Sequence, residues 1–361
     1  MLFIAGISIA VFIQILLLSK KSKNQSDRWL ALWVFALATH LFFYYLVYSG
    51  QAFEYPFLLG LEMPLPLLHP VMLYIYTAQI TRQLPECKWS LIFHFIPALV
   101  VLFYLVFNFY GLPAASKVYT YQNNGAGFET FVLLKNIVIY ISGVAYISWS
   151  TWLLVRHQRN VRDQYAYVEK IDLKWLRTLT LGLGIIWLVV IFLDSELLTF
   201  GAVAIFVIIV GFLGIRQGRV FDTPTPQPPP VTDKKEKYAR SGLKTSQSDD
   251  LFSRLKILME EQEFYKQNDL SNALLAETLD VHVNTLSQVI NERTNHNFYD
   301  FVNGYRVAEF KRLLDDPKNH NLTLLALAYE CGFNSKSSFN RYFKKATGQT
   351  PSQYFAEVKS Q

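Results

Sequence analysis

Residues 322–345 read LTLLALAYECGFNSKSSFNRYFKK. Leu324, Leu327, Ala328 and Cys331 recur at helical spacing, and Gly332 follows Ala328 by four residues. That pattern marks a sharp turn between two helices: a small alanine lets the second helix come close, and glycine admits the backbone the turn needs. A new helix is expected near Ser335, whose hydroxyl can cap it. On that helix Phe339 and Phe343 share one face, and Ser337, Asn340, Arg341 and Lys344 share the opposite one. Together with Ser335, Lys336 and Lys345, the outer face carries what a major groove accepts. Arginine forks onto guanine, asparagine pairs with adenine and lysine meets phosphate.

The same design recurs about fifty residues upstream. Ser271 can cap a short helix with Leu274, Leu275, Ala276 and Leu279 apolar, and beyond Asp280 and Val281 a second helix runs through Leu286, Val289 and Ile290. Its outer face would present Asn284, Thr285, Ser287, Gln288 and Asn291, amides and hydroxyls without a cation. The first helix is therefore expected to read bases by hydrogen bonding, and the second to supply more of the phosphate attraction. Between them, Tyr299 to Leu314 is long enough for one rigid connecting helix. Such a connector would hold the two readers at a fixed separation, roughly 34 Å for two major-groove segments on one side of a duplex.

The run from Leu324 to Tyr354, which includes LAYECGFNSKSSFNRYFKKATGQTPSQY, resembles the C-terminal half of the AraC/XylS DNA-binding domain, with Ala328, Gly332, Phe333, Phe339, Phe343, Gly348 and Pro351 in order. Upstream, NTLSQVINERTNHNFYDFVNGYR resembles the first half of the same domain. The likeness covers about residues 251 to 358 and implies sequence-specific recognition of promoter DNA. It departs at Asp280, where a glycine would be more comfortable, and at Cys331, which replaces a more usual aliphatic residue.

Composition describes the rest. Hydrophobic residues make up 52% of the chain and charged ones 17%, and the excess of apolar residues lies before residue 216. A bilayer core about 30 Å thick takes around 20 apolar residues per helix. Seven spans are expected, at about 2–19, 29–49, 57–79, 90–110, 131–155, 175–193 and 197–215, with Glu62, Pro64, Pro66, His69 and Pro70 interrupting the third. Loops after odd spans hold Lys20, Lys21, Lys23, Arg28, Arg82, Lys88, Arg156, Arg159, Arg162, Lys170 and Lys174, whereas loops after even spans before the seventh hold Lys117 alone. By the positive-inside rule the N-terminus lies outside and the C-terminal domain in the cytoplasm of a bacterial inner membrane. The first span lacks the basic lead and small-residue site of a cleaved signal, and is read as an uncleaved anchor.

The expected architecture is all-α: a transmembrane helix bundle over 1–216, a linker over 217–250 and a double helix-turn-helix domain over 251–361. The linker gathers Pro224, Pro226, Pro228, Pro229 and Pro230 before Lys234, Lys235 and Lys237, with an upper reach on the order of 100 Å. Residues 251–264 read as the leading helix of the DNA domain, with Leu251, Leu255, Leu258 and Met259 on one face; a dimerising helix is the alternative.

Ionisable residues inside spans are costly and point to function: Glu62 and His69 as ligand or proton sites, with His40, His94, Lys135, Asp194 and Glu196 around them. No phosphate-binding glycine loop, metal pattern, serine elbow or kinase signature occurs, so no enzyme, cofactor or metal is expected. The two cysteines, Cys87 and Cys331, offer no disulfide framework. The sequence thus reads as a membrane-embedded one-component transcription regulator. Promoter DNA and lipid are its partners, and an effector of unidentified chemistry, RNA polymerase and a second copy of the chain are candidates. A transporter or channel with a regulatory C-terminal domain is the alternative reading.

Overall fold

The computed structural model describes residues 1–20, 24–85, 87, 89–167, 173–193, 195–217, 245–319 and 321–360. Of the expected linker, residues 217 and 245–250 at its two ends are helical, whereas residues 218–244, like Asp194, Lys21, Lys23, Lys88 and Lys170, lie outside these described residues. Among them the chain is all-α, and it divides into two compact units, each described by itself.

The apolar unit contains α1 (Leu2–Ser19), α2 (Gln25–Tyr48), α3 (Gln51–Glu54), α4 (Leu68–Ile80), α5 (Ser90–Phe93), α6 (Ile96–Asn108), α7 (Ala114–Gln122), most of α8 (Glu129–Gln164), α9 (Lys174–Phe192) and α10 (Glu196–Gln217). α1 packs on α2 and α10, α2 on α4, and α9 on α10. Asn24 and Asp27 cap α2 reciprocally, Asn24 Oδ1 accepting from the Asp27 amide at 2.8 Å and Asp27 Oδ2 from the Asn24 amide at 3.0 Å.

Four of these helices, α1, α2, α8 and α9, are long and apolar enough to cross a membrane by length and composition. The expected third and fourth spans are not continuous helices. Around Pro56, Pro64 and Pro66 the chain forms two short 3-10 turns, Pro56–Leu58 and Leu65–Leu67, and only α4 remains, 13 residues long. Proline lacks the amide that continues the hydrogen-bond ladder, which accounts for the interruption. The fourth stretch breaks at His94 and Phe95 before Pro97, leaving α6 with 13 residues, about 20 Å of helix. In contrast, α8 overruns its expected end at 155 and continues to Gln164. RHQRNVRDQ, residues 156–164, contains neither glycine nor proline to stop it.

The second unit takes the end of α8 from Arg156 and then α11 (Thr245–Glu260), α12 (Asn272–Thr278), α13 (Val283–Thr294), α14 (Phe298–Asp315), α15 (Leu324–Glu330), α16 (Lys336–Thr347) and α17 (Pro351–Ser360). α11 starts earlier than expected and stops at Glu260, short of Phe264, which begins a separate 3-10 turn. Leu251, Leu255, Leu258 and Met259 are all buried in the unit's own core, so the apolar face of α11 serves the domain as its leading helix. α14 joins the two cores of the unit: Phe298, Phe301 and Val302 belong to the one around α12 and α13, and Val307, Phe310 and Leu314 to the one around α15 and α16. A helix buried at both ends in different cores cannot pivot without opening one of them, which makes it the stiff connector the sequence implied.

Candidate nucleic-acid interface

Each half of the second unit is a short helix, a tight turn and a longer helix. In the downstream pair the Thr323 hydroxyl caps α15 by accepting from the Ala326 amide at 3.1 Å, and the Ser335 hydroxyl caps α16 by accepting from the Ser338 amide at 3.1 Å. Gly332 has φ +91° and its amide donates to the Tyr329 carbonyl. Phe339, Tyr342 and Phe343 are buried, with Phe310 4.6 Å from Phe339 between ring centroids. The opposite face is exposed at Lys336, Ser337, Asn340, Arg341, Lys344 and Lys345. Lys345 meets Asp300 Oδ1 at 2.6 Å and is drawn toward α14. Ser335 is half-buried and occupied as the cap, which ties its hydroxyl to the backbone.

The upstream pair follows the same plan with different atoms. Ser271 caps α12, accepting from the Leu274 amide at 3.2 Å, and His282 caps α13, its Nδ1 accepting from the Asn284 amide at 3.2 Å. Leu286, Val289 and Ile290 fill the core positions that Phe339, Tyr342 and Phe343 fill downstream. Asp280 sits in the turn with φ +55°, the left-handed region that glycine adopts without cost. Asp280→Gly is therefore expected to raise stability by about 0.5–1 kcal/mol. Slower hydrogen exchange in α12 and α13 would register the gain, and faster exchange would contradict it.

The expected readout residues of α13 are less accessible than their downstream counterparts. Asn284, Thr285, Gln288 and Asn291 are half-buried, and Ser287 is 2% exposed. Ser287 is a correction to the expected contact set: its hydroxyl accepts a hydrogen bond from Asn272 Nδ2 and faces inward. Asn291 Nδ2 donates to the Ser287 carbonyl at 2.9 Å, and Gln288 donates to Glu292 at 2.8 Å.

Three residues escaped the sequence reading. Asn272, Asn303 and Arg306 are polar and each no more than 1% exposed: Asn272 joins α12 to α13 and to the end of α8, while Asn303 and Arg306 join α14 to the end of α8 and to the segment before α12. Arg306 donates through Nε to the Tyr265 carbonyl at 2.7 Å, through Nη2 to the Gln267 carbonyl at 2.8 Å and through Nη1 to Asn303 Oδ1 at 3.3 Å. Nothing in local spacing distinguishes it from the solvated basic residues around it. Cys331 is buried with its thiol pushed up to about 12 by desolvation, so it stays protonated and unreactive.

Residues 275–357 match the family model of a helix-turn-helix domain, running from within α12 into α17. The chain carries a DNA-binding domain of the AraC type. The AraC-type domain supports a DNA-binding regulator of transcription and does not favour the transporter reading. No curated protein and no solved structure matches the chain.

In the apolar unit the expected ligand residues do not meet one another. Glu62 accepts from the Tyr121 hydroxyl, while His69 Nε2 lies 2.8 Å from His40 Nδ1 with the two imidazoles stacked. Glu62 Oε2 and His69 Nδ1 are buried and have no hydrogen-bond partner among the described residues. Lys135 stands within electrostatic range of Glu62, His40 and Glu196. His94 pairs separately, its Nδ1 2.7 Å from the Tyr146 hydroxyl.

Proposed function

We propose that the chain is a membrane-embedded one-component transcription regulator that reads promoter DNA with both helix pairs of the AraC-type domain, under the control of a signal received in the apolar unit. The observation that carries the DNA half is the exposed polar face of α16, where an amide, a guanidinium and ammonium groups stand opposite buried aromatic rings. On this reading Arg341→Ala costs about 1–3 kcal/mol at one base pair of the site, whereas Lys344→Ala weakens all sequences alike and lowers the salt slope by about one. Binding isotherms of the full chain on matched and mismatched duplexes at several salt concentrations check both. A uniform loss for Arg341→Ala would contradict its role as a base reader.

Membrane embedding rests on surface chemistry. Phe12, Phe35, Phe103, Phe107, Ile141 and Phe192 are exposed on the apolar unit, while among the described residues of the second unit only Ile257, Leu274, Leu322 and Tyr329 stand out as large exposed hydrophobic side chains. Water would penalise the first surface, and lipid would cover it. Lys20 and Arg28 stand where α1 meets α2, and Arg156, Arg159, Arg162 and Lys174 where α8 meets α9, and by the positive-inside rule such basic connections favour the cytoplasm, which supports a cytoplasmic AraC-type domain. Protease treatment of intact cells should leave that domain whole, and its digestion from outside would reject the topology. The signal site in this reading is the Glu62 and His69 region, where unpartnered polar atoms deep in an apolar unit invite a polar ligand or a proton.

A further inference from the structure

Besides α14, one element enters both cores of the DNA-binding unit, and it comes from far upstream. Among the described residues, the end of α8 and the residues after it place Ala166 in the core around α12 and α13, and Val161, Tyr165 and Tyr167 in the core around α15 and α16. Ala166 is fully buried and Val161 is 3% exposed, so the segment is built into the unit and not laid on its surface.

Backbone groups complete the attachment. The Ala166 amide donates to the Leu270 carbonyl at 3.2 Å, and Tyr165 forms an isolated antiparallel bridge with Ser271, which caps α12. The Ala166 carbonyl accepts from Asn303 Nδ2 of α14 at 3.0 Å, and the Asp163 carbonyl accepts from Asn272 Nδ2 of α12 at 3.1 Å. Asn272 and Asn303 are themselves fully buried, so both amides depend on partners inside the fold. The segment thus ties the start of the first helix pair to α14, while its valine and tyrosine side chains pack against the core of the second pair.

Such a tie matters because of how two bodies carried on one helix can move. α13 and α16 each pack on α14. A helix held in two cores fixes their separation most strongly and rotation about its own axis least, and a second attachment away from that axis removes the rotation. The chain entering α12 is where this attachment acts. On one side Leu270 and Ser271 are bound by the α8 end, and on the other Asn334 of the second turn donates from Nδ2 to the Asn268 carbonyl at 2.7 Å. A duplex demands that the rotation be right, since each base pair between two major-groove segments adds about 3.4 Å of separation and about 35° of turn.

We propose that residues 161–167 are a second crosspiece of the DNA-binding unit, which fixes the turn of the first helix pair relative to the second and thereby the half-site spacing the chain accepts. Val161 and Ala166 are its positioning residues, and neither touches DNA. The inference rests on the reading that both helix pairs meet DNA, and adds what sets their register on the duplex.

The test uses the full chain in lipid nanodiscs and a duplex selected by the unmodified chain from random sequence, together with the same duplex carrying one base pair added or removed between its halves. The unmodified chain is expected to bind the altered spacings at least about tenfold more weakly, because one helix pair then loses its base contacts. Ala166→Asp and Val161→Asp, which put a charge in the segment's two buried seats, should reduce that ratio to about threefold or less while base preferences inside each half persist. Arg162→Ala, at an exposed position of the same segment, should keep the full ratio. A folded charged variant with the parent's ratio overturns the proposal. So does loss of base preference within a half, which would make the segment part of that pair's fold and not of its placement. Where the charged variants fail to fold, Ala166→Gly decides: an intermediate ratio supports the crosspiece, and the parent's ratio overturns it. A selected site with a single readable half refutes the reading that both helix pairs meet DNA, and binding to no duplex at low ionic strength refutes DNA binding altogether. The crosspiece falls with either, but both results are distinct from its own failure.

Discussion

Gly332→Ala is expected to destabilise the AraC-type domain by about 3–5 kcal/mol, combining a left-handed backbone penalty with an overpacking cost. The residue has φ +91°, and a Cβ built there would lie 2.5 Å from the Tyr265 carbonyl oxygen and 2.8 Å from that of Lys266. Both obstacles are backbone, so no rotamer change relieves them. Either the turn after α15 opens or the segment Phe264–Lys266 moves off α14. Gly348→Ala is the control, since φ there is +80° but nothing lies within 4 Å of the added carbon. Its cost should be the backbone penalty alone, about 1–2 kcal/mol. Hydrogen exchange of α14 amides in the full chain separates the two, because it reports the local opening free energy without a global transition. Equal protection loss in both variants would mean that the Tyr265 and Lys266 carbonyls are not where the structure puts them.

The close approach at Gly332 shows what was legible in the sequence and what was not. Ala328, Gly332 and Ser335 announced the turn and the start of α16 because a tight turn and a cap impose residue types at fixed offsets. The buried faces of α11, α13 and α16 were legible for a similar reason: burial against one core repeats with the period of the helix. What Gly332 packs against was not legible, since Tyr265 lies far upstream and no spacing rule links the two. The same holds for Asn303 and Ala166, bonded across 137 positions. Residues 156–164 looked like a basic cytoplasmic loop because arginine and glutamine suit water and helix alike, and burial of Asn160 and Asp163 depends on partners that only the fold supplies. In the apolar unit the prolines were read as interruptions, yet hydropathy alone could not say that they leave α4 too short to cross a bilayer. Ser287 was assigned outward on periodicity, and the error came from a neighbour, Asn272, on another helix.

Arg306→Ala is expected to cost the domain about 3–5 kcal/mol, the loss of two charge-assisted hydrogen bonds to buried carbonyls. The guanidinium is 1% exposed and lies over the Phe333 ring with its central carbon 5.8 Å from the centroid. Without it, the Tyr265 and Gln267 carbonyls lose charge-assisted donors, each worth about 1.5–3 kcal/mol. Arg306→Lys should recover part of the loss, because a single ammonium can serve one carbonyl but cannot fork between two that diverge. DNA affinity should fall with stability in both variants, since α14 sets the angle between the helix pairs. The sharper expectation concerns coupling. The Tyr265 carbonyl that Arg306 holds at 2.7 Å is the same oxygen that a side chain at Gly332 would strike. Once Gly332→Ala has pushed that carbonyl aside, removing Arg306 has less left to break. The double variant should thus cost at least about 0.5 kcal/mol less than the two single variants together, the range found for residues that share a partner. Strict additivity in hydrogen exchange of α14 would show that the turn and the guanidinium are anchored independently, and would sever the link drawn between them.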